Sequence, residues 1–567
     1  MNSRAASRRQ TLSDRRPLTF TPKCTDDEYR KAILYHAKQS PGGTLYPGEI
    51  YQSLSRFINA RSELSTSLTA GSGSTAFAWL TSPCRRSQSE DALPHDKSSA
   101  SENGAHSGRF ERFADPESCI EALRGNIEAS QPQVLFLRGH LSPGWVRSIG
   151  AFCYVDPELF RWFLRYRESP GGDYYFDSAP SAMSNIFRFR FYTIGSKTDY
   201  YHCPQHVVDA MRAEASRDFE SYKRQLFDCV SLATGSSIVR NFHALDERHC
   251  VIEQEMDISI FEIGKTWMAI ACTDAGDDLA NGPKLPWASN MYNPNIMWLP
   301  IMQYRPKYAL KSPGLNKSES ASEGPRNAQS LAVFPEGYGR NLAWCLASHN
   351  RFHVLEDVFR LAAFSQNQLL NLIEGKVRAE TDRFSQSRES PTLNNLLHFR
   401  DVLEDQIQAA EEMFQLSKQS LRMTHADRRH GATVTPEQKA ATDQAVAEVR
   451  GLFRDLRGRA QQLHGRCTQE MTVISNNSML LESQRAMQQA RIVTKLTLVA
   501  FVYLPFSFTA GFFGMNFKEL GTGTISLWIF FAASLPLMLI TLGFFLVDVD
   551  TVKEVVRSWR GPDTEDP

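Results

Sequence analysis

The sequence LTLVAFVYLPFSFTAGFF, from Leu496 to Phe513, is an uncharged run of 18 residues in a chain of 567. A second run, ISLWIFFAASLPLMLITLGFFLV from Ile525 to Val547, has 23 residues. A helix needs about 17 to 25 mainly apolar residues to cross the hydrocarbon core of a bilayer. The two runs predict transmembrane helices at 496–513 and 525–547, joined by an outer loop at 514–524. Buried helices of a soluble protein are the alternative, which two adjacent runs of this length disfavour.

Basic residues predict the orientation of this hairpin. Loops on the cytosolic side of a membrane carry an excess of lysine and arginine. The outer loop contains only Lys518, whereas three basic residues precede the first run and three follow the second. They are Arg485, Arg491, Lys495, Lys553, Arg557 and Arg560. We therefore expect a two-span membrane protein with both termini in the cytosol, residues 548–567 forming a cytosolic tail.

The overall composition excludes several classes of protein. Lysine plus arginine and aspartate plus glutamate both total 63, so the totals lack the basic excess typical of a nucleic-acid binder. The ten cysteines form no CxxC pair and no secretory framework, which indicates a reducing compartment. No P-loop, catalytic triad or nucleotide-binding glycine motif occurs, so we expect no enzyme. The arginine-rich N-terminus lacks the apolar segment of a signal peptide and only weakly resembles a mitochondrial presequence.

Two segments are rich in serine, glycine and small polar residues, and such segments bury too little surface to offset the entropy of ordering. They predict a disordered insert at 62–108 and a flexible insert at 311–326. We expect the basic segment 1–61 to be partly ordered.

Strand patterns dominate residues 109–340. Val134 to Leu137 is a short apolar run, and in FRFRF at 187–191 aromatic and basic residues alternate with the period of a strand. Residues 251–273 indicate two strands that turn at Gly264. Together with helical pieces these patterns predict a mixed α/β domain in the cytosol.

Residues 341–495 change to a helical pattern. One predicted helix ends at Gly375, and a second covers about Leu393 to Met423. A third begins at Thr435-Pro436-Glu437-Gln438, where Thr435 suits the N-cap and Gln438 reaches back to it. Because no further proline occurs before Pro505, this helix would extend to Phe513, on the order of 115 Å.

The long helix has the features of a stalk. Its apolar residues between Phe453 and Leu481 step by threes and fours, as in a coiled coil. Gly451, Gly458 and Gly465 either allow close approach of another helix or mark a break. The polar content that follows suggests a wetted face and an ion path. Since two helices cannot enclose a pore, transport requires several copies, most economically in a symmetric ring.

The segment TLVAFVYLPFSFTAGFFGMNF, Thr497 to Phe517, resembles the pore helix of CorA-type divalent-cation transporters, which ends in the signature Gly-Met-Asn. The resemblance implies a funnel-shaped homopentamer, in which an α/β domain leads through a long stalk helix into two C-terminal transmembrane helices. It implies transport of Mg²⁺, sometimes Co²⁺ or Ni²⁺, without a cofactor. A ZntB-like branch transports Zn²⁺, which is the main alternative cargo. The long inserts suggest a fungal-like member.

By this resemblance, Gly514, Met515 and Asn516 form the selectivity filter, and Asn516 contacts the hydrated ion. Leu496 and Leu504 are hydrophobic constrictions, although leucines that face lipid or another helix are equally common. Ser507 from each copy forms a polar ring between the gate and the filter. Mg²⁺ gives up its waters reluctantly, so amide oxygens that accept hydrogen bonds from those waters avoid the cost of dehydration. Neutral amides also bind weakly enough for the ion to leave.

Other features leave alternatives open. Lys518 follows the filter and lowers the local cation concentration, so a non-conducting membrane-anchored sensor or scaffold is the second hypothesis. His202, Cys203 and His206 lack the usual zinc spacing and indicate ordinary histidines more than a metal site. An acidic set is interpreted as a solvated helix face more readily than as a cation sensor: Asp401, Glu404, Asp405, Glu411 and Glu412. The plasma membrane is favoured over the vacuolar and mitochondrial inner membranes.

Overall fold

A computed structural model of the chain describes residues 24–39, 51–60, 76–83, 108–167, 185–198, 203–228, 232–279, 296–301, 329–338, 342, 344–387, 392–426, 435–513, 518 and 524–546. The chain divides into two compact units, Met1–Glu470 and Met471–Pro567. The predicted insert at 311–326 and the predicted tail at 548–567 lie outside the described residues.

The first unit contains a mixed sheet of eight described strands in the order β2-β1-β3-β7-β6-β4-β8, with β5 paired to β6. Only β3 and β7 run parallel, and the other pairs are antiparallel. The strands are β1 (Ala78–Pro83), β2 (Gly108–Phe113), β3 (Gln133–Arg138), β4 (Ile186–Lys197), β5 (Asn241–Ala244), β6 (His249–Ile263), β7 (Thr266–Thr273) and β8 (Ile296–Leu299). The strands expected at 134–137, 187–191 and 251–273 are confirmed, including the turn at Gly264, whose φ is +61°.

Twelve α-helices occur among the described residues. They are α1 (Asp26–Lys38), α2 (Gln52–Asn59), α3 (Pro116–Glu128), α4 (Pro143–Cys153), α5 (Pro157–Phe163), α6 (Gln205–Asp228), α7 (Ser330–Gly337), α8 (Trp344–His349), α9 (Phe352–Ser387), α10 (Thr392–Ala426), α11 (Pro436–Phe513) and α12 (Leu527–Leu546).

Apolar side chains cover both faces of the sheet. One face forms a continuous core with helices α1 to α6, in which Trp145 and Phe160 are buried. On the other face the phenylalanines of β4 are buried, and the Phe189 ring lies 4.8 Å from the Phe359 ring of α9. Phe359 in turn lies 6.0 Å from Phe453 of α11. The alternating phenylalanines of β4 therefore form the surface against which α9 packs, and α9 in turn contacts α11.

The prediction of disorder throughout 62–108 is wrong at one place. β1 lies inside this range and pairs with both β2 and β3, and Ala78, Trp79 and Leu80 are at most 5% exposed. A short apolar run of strand length is hidden when composition is averaged over a long serine-rich segment.

One expectation about a helix end was wrong, because the helix expected to end at Gly375 continues to Ser387. The expected long helix is confirmed, since α11 runs from Pro436 to Phe513 without the alternative break at Gly451, Gly458 and Gly465. A glycine costs about 1 kcal/mol relative to alanine inside a helix, which long helices tolerate. The capping signature is confirmed, because the Gln438 N–H donates to Thr435 Oγ1 at 3.2 Å and the Thr435 N–H donates to Gln438 Oε1 at 3.2 Å.

Cys24, Cys119, Cys153, Cys250, Cys272 and Cys467 form no disulfide with one another. All of these six except Cys24 are buried.

Candidate ion pathway and cytosolic charge network

α11 is the one described helix that is long and apolar enough to cross a membrane. The apolar part of α12, Leu527–Gly543, is shorter. The two helices contact each other through aromatic rings, with Phe506 6.4 Å from Phe530. The Lys518 N–H donates to the Ile525 carbonyl at 2.8 Å, which ties the connecting loop to the start of the second predicted span.

The side of α11 that meets α12 carries buried residues. Pro505 and Thr509, which flank Phe506, are both buried. On α12, Ser534 lies one turn beyond Phe530 and is also buried. This side of α11 is therefore closed by the chain's own second helix.

The three predicted pathway residues lie on another side of α11. At about 100° per residue, Leu504 and Ser507 lie about 80° and 20° from Leu496 around the helix. Pro505 and Thr509 lie about 180° and 220° from Leu496. Leu496 and Leu504 are 66% and 68% exposed in the single chain, and Ser507 is exposed. The structure thus gathers these residues on one arc, away from α12.

The predicted filter lies outside the described residues, because these omit Gly514, Met515 and Asn516. His202 is also outside them. Among the residues that are described, no group of three or more histidine, cysteine or acidic side chains could hold a metal ion.

A buried network of arginines and carboxylates lies on the sheet of the first unit. Arg188 of β4 makes a two-pronged contact with Asp257 of β6, with both N···O distances 2.8 Å. Arg240 contacts Asp274 in the same way, again at 2.8 Å for both bonds. Glu255 lies between the two arginines, 3.5 Å from Arg188 Nε and 3.6 Å from Arg240 Nε. The two arginine neighbours lower the pKa of Glu255 against the opposing effect of burial.

Arg190 extends this network to helix α10. Its Nη2 lies 3.1 Å from a carboxylate oxygen of Glu412, and its Nε lies 3.6 Å from Glu253 and 3.8 Å from Glu255. A single guanidinium is therefore shared among three carboxylates. Burial raises the pKa of Glu253 to about 7, and Arg190 only partly opposes this effect.

The raised pKa of Glu253 makes the stability of the first unit depend on pH. Between about pH 4.5 and pH 7 the folded protein holds a proton on Glu253 that the unfolded chain has released, so this stabilisation is lost as the pH rises. We expect the free energy of unfolding to fall by roughly 1 to 3 kcal/mol more in the wild type than in Glu253→Gln between pH 5 and pH 8. Urea unfolding of the full chain in detergent measures the difference.

Glu262→Gln is the matched control, because Glu262 is an exposed residue of the same strand. It should keep the pH dependence of the wild type. An identical pH dependence in Glu253→Gln would show that Glu253 is ionised throughout this range.

The acidic set predicted on α10 does not form one site. Glu412 joins the buried network, whereas Glu411 pairs with Arg457 of α11 and Asp401 pairs with Arg400 at 2.8 Å. Sequence reasoning missed the network itself. The available signal was the alternation FRFRF, which places Arg188 and Arg190 on the sheet face opposite the phenylalanines.

One comparison with known proteins concerns the C-terminal part of the chain. A family model described as CorA-like Mg²⁺ transporter protein matches residues 365–547. Among solved structures, the chain is similar to the complete structure of the CorA magnesium transporter from Methanocaldococcus jannaschii, with 12% identity and a TM-score of 0.24. That match covers 63% of this chain and 97% of the other. No curated protein matches the chain.

The family match begins within α9, includes the whole of α10, α11 and α12, and ends one residue beyond α12. It therefore contains the capped stalk helix, the exposed arc of α11 and the Gly-Met-Asn signature. Residues 365–547 are thus similar to the CorA-like Mg²⁺ transporter protein family.

Proposed function

We propose that the chain carries divalent cations across a membrane as a homo-oligomer, a pentamer in the simplest case, with α11 of each copy lining a central pore. Mg²⁺ is the favoured cargo. The observation that carries the proposal is the exposed arc of Leu496, Leu504 and Ser507, which faces away from α12. In a ring with α12 on the outside, this arc of α11 is the side left for the pore.

Exposed apolar residues elsewhere on α11 support assembly. Met479, Leu480 and Met487 are between 55% and 65% exposed in the single chain. They lie before the apolar run that begins at Leu496, so lipid does not cover them. A soluble segment rarely leaves so much apolar surface uncovered. Contact between stalk helices of neighbouring copies covers such residues outside the bilayer.

In the proposed pore, two rings of leucine form the gate. Leu496 and Leu504 are eight residues apart, so their rings are separated by about 12 Å along the helix. A narrow apolar passage excludes water and thereby stops hydrated ions. Ser507, about 4.5 Å beyond Leu504, offers hydroxyl groups to an ion that has passed the gate.

Asn516 completes the proposed pathway at the outer mouth. It follows the end of α11 at Phe513 by three residues. A ring of amide oxygens there accepts hydrogen bonds from the waters of Mg²⁺ without the strong attraction of carboxylates.

Reconstitution into liposomes tests the proposal. The purified chain should pass Mg²⁺ down its gradient, and parallel assays with Zn²⁺, Co²⁺ and Ni²⁺ rank the cargo. Chemical cross-linking in the same liposomes reports the number of copies. An oligomer without flux of any of these ions would favour the sensor or scaffold, and a monomer in the bilayer would exclude the pore.

Leu504→Asn tests the gate. An amide in place of an apolar side chain wets the constriction, so we expect the resting Mg²⁺ flux to rise about tenfold. That rise corresponds to a barrier lowered by about 1.4 kcal/mol. Stopped-flow fluorescence of a Mg²⁺ indicator trapped in liposomes measures the initial rate.

Leu539→Asn is the control for Leu504→Asn. Leu539 lies on α12 and is 61% exposed, close to the 68% of Leu504, so the same chemical change is made away from the proposed pore. Its flux should equal that of the wild type. A rise of the same size in both variants would point to a general leak of the hairpin.

A further inference from the structure

Four cationic side chains surround one aromatic ring between α10 and α11. Lys418 Nζ lies 4.4 Å from the centre of the Phe414 ring. The guanidinium carbons of Arg450, Arg454 and Arg457 lie 5.7, 5.9 and 5.8 Å from the same centre. We call these five residues the Phe414 cluster. All of them lie in the first unit, and none belongs to the proposed pore.

The charge of the Phe414 cluster is poorly balanced within the chain. Glu411 pairs with Arg457, which offsets one of the four positive charges. Among the described residues, neither Arg450 nor Arg454 forms an ion pair. Lys418 forms no ion pair within 4.0 Å there either; it donates a hydrogen bond to Gln415 at 3.3 Å and feels the charge of Glu411 at longer range. About three positive charges thus converge without a counter-charge from the described part of the chain.

The donors of the cluster are also incompletely used. The Nε atoms of Arg450 and Arg457 are buried from water and have no hydrogen-bond partner in the described part of the chain. A buried N–H without an acceptor costs about 1 to 3 kcal/mol, more when the group is charged. Convergent cations with unused donors are the arrangement that an anion with several acceptor oxygens stabilises.

We propose that the Phe414 cluster is a binding site for a multivalent phosphate, such as the triphosphate of a nucleotide or inorganic triphosphate. Guanidinium groups present planar forks of donors that match phosphate oxygens two at a time, and the lysine adds a point charge. A triphosphate carries enough negative charge to balance the excess. The half-buried Phe414 ring supplies an apolar floor that orients the cations through their attraction to its face.

Calorimetric titration of the full chain in detergent tests the proposal. The ligands are inorganic triphosphate and ATP, both with EDTA present so that metal ions do not bridge them to the protein. We expect both to bind the wild type. Arg454→Gln and Lys418→Gln should each weaken binding about tenfold or more, because each removes a charged hydrogen-bond donor. Both residues are exposed, so the fold should tolerate these changes.

Arg400→Gln is the matched control, since Arg400 lies on α10 and pairs with Asp401. It should bind both ligands as the wild type does. Equal affinity for triphosphate and ATP would support a site that recognises the phosphates alone. Tighter binding of ATP would support a phosphate site with an added contact to the nucleoside. Absence of binding, or binding that Arg454→Gln and Lys418→Gln leave unchanged, would overturn the proposal. A third result would also overturn it: the wild type binds neither ligand, and the two variants change the oligomeric state. The cluster would then be a contact with another copy of the chain.

Discussion

Asn516→Ala should abolish Mg²⁺ flux into liposomes, with a loss of at least about a hundredfold. Alanine removes the ring of amide oxygens that is proposed to hold the hydrated ion at the outer mouth, and such a loss corresponds to about 2.7 kcal/mol. The flux assay with trapped indicator measures it. Asn516→Asp should also slow the flux, because a ring of carboxylates holds the ion more tightly.

Asn371→Ala is the control for the filter. Asn371 is an exposed residue of α9 in the first unit, so this variant makes the same chemical change far from the membrane segment in sequence. Its flux should match that of the wild type. Wild-type flux in Asn516→Ala would remove Asn516 from the filter without excluding transport by another route.

Asp257→Ala should destabilise the first unit by about 3 to 5 kcal/mol. Asp257 is fully buried and makes both bonds to Arg188. Without Asp257, the Arg188 guanidinium would keep a hydrogen bond to the Trp162 carbonyl at 2.8 Å and Glu255 at 3.5 Å as its nearest carboxylate. Removal of one partner from a buried ion pair leaves an uncompensated charge. Urea unfolding of the full chain in detergent measures the change in the free energy of unfolding.

Two further variants separate charge from packing. Asp401→Ala breaks the surface pair with Arg400 and should change stability little, because exposed ion pairs contribute little. The double variant Arg188→Met with Asp257→Leu should recover much of the loss, since neither charge remains. A double variant as unstable as Asp257→Ala would mean that lost packing dominates.

The sequence alone predicted the parts of the chain whose signal is local. The uncharged run of α11, the capping box at Thr435 and the alternation in β4 depend only on residues close together in the chain. The Gly-Met-Asn signature at the end of the first run identified the family, which the match to residues 365–547 confirms. The roles of Leu496, Leu504 and Asn516 stay predictions.

Other features depend on contacts between distant residues and could not be predicted. β1 is a short strand whose place in the sheet is set by pairing with β2 and β3, so composition gave no sign of it. Arg188 meets Asp257 only because β4 and β6 pair in one particular register. The Phe414 cluster likewise joins residues of α10 and α11 that lie more than thirty positions apart.

The buried cysteines decide how the proposed pore can be studied by chemical labelling. Burial raises the pKa of Cys119 and of Cys250 to about 12 and that of Cys467 to about 11, so these thiols stay protonated at neutral pH. Maleimides and methanethiosulfonates react with the thiolate of accessible cysteines. These three thiols would therefore not compete for the reagent with a cysteine introduced at Ser507. The rate at which that cysteine is modified would report how open the gate is.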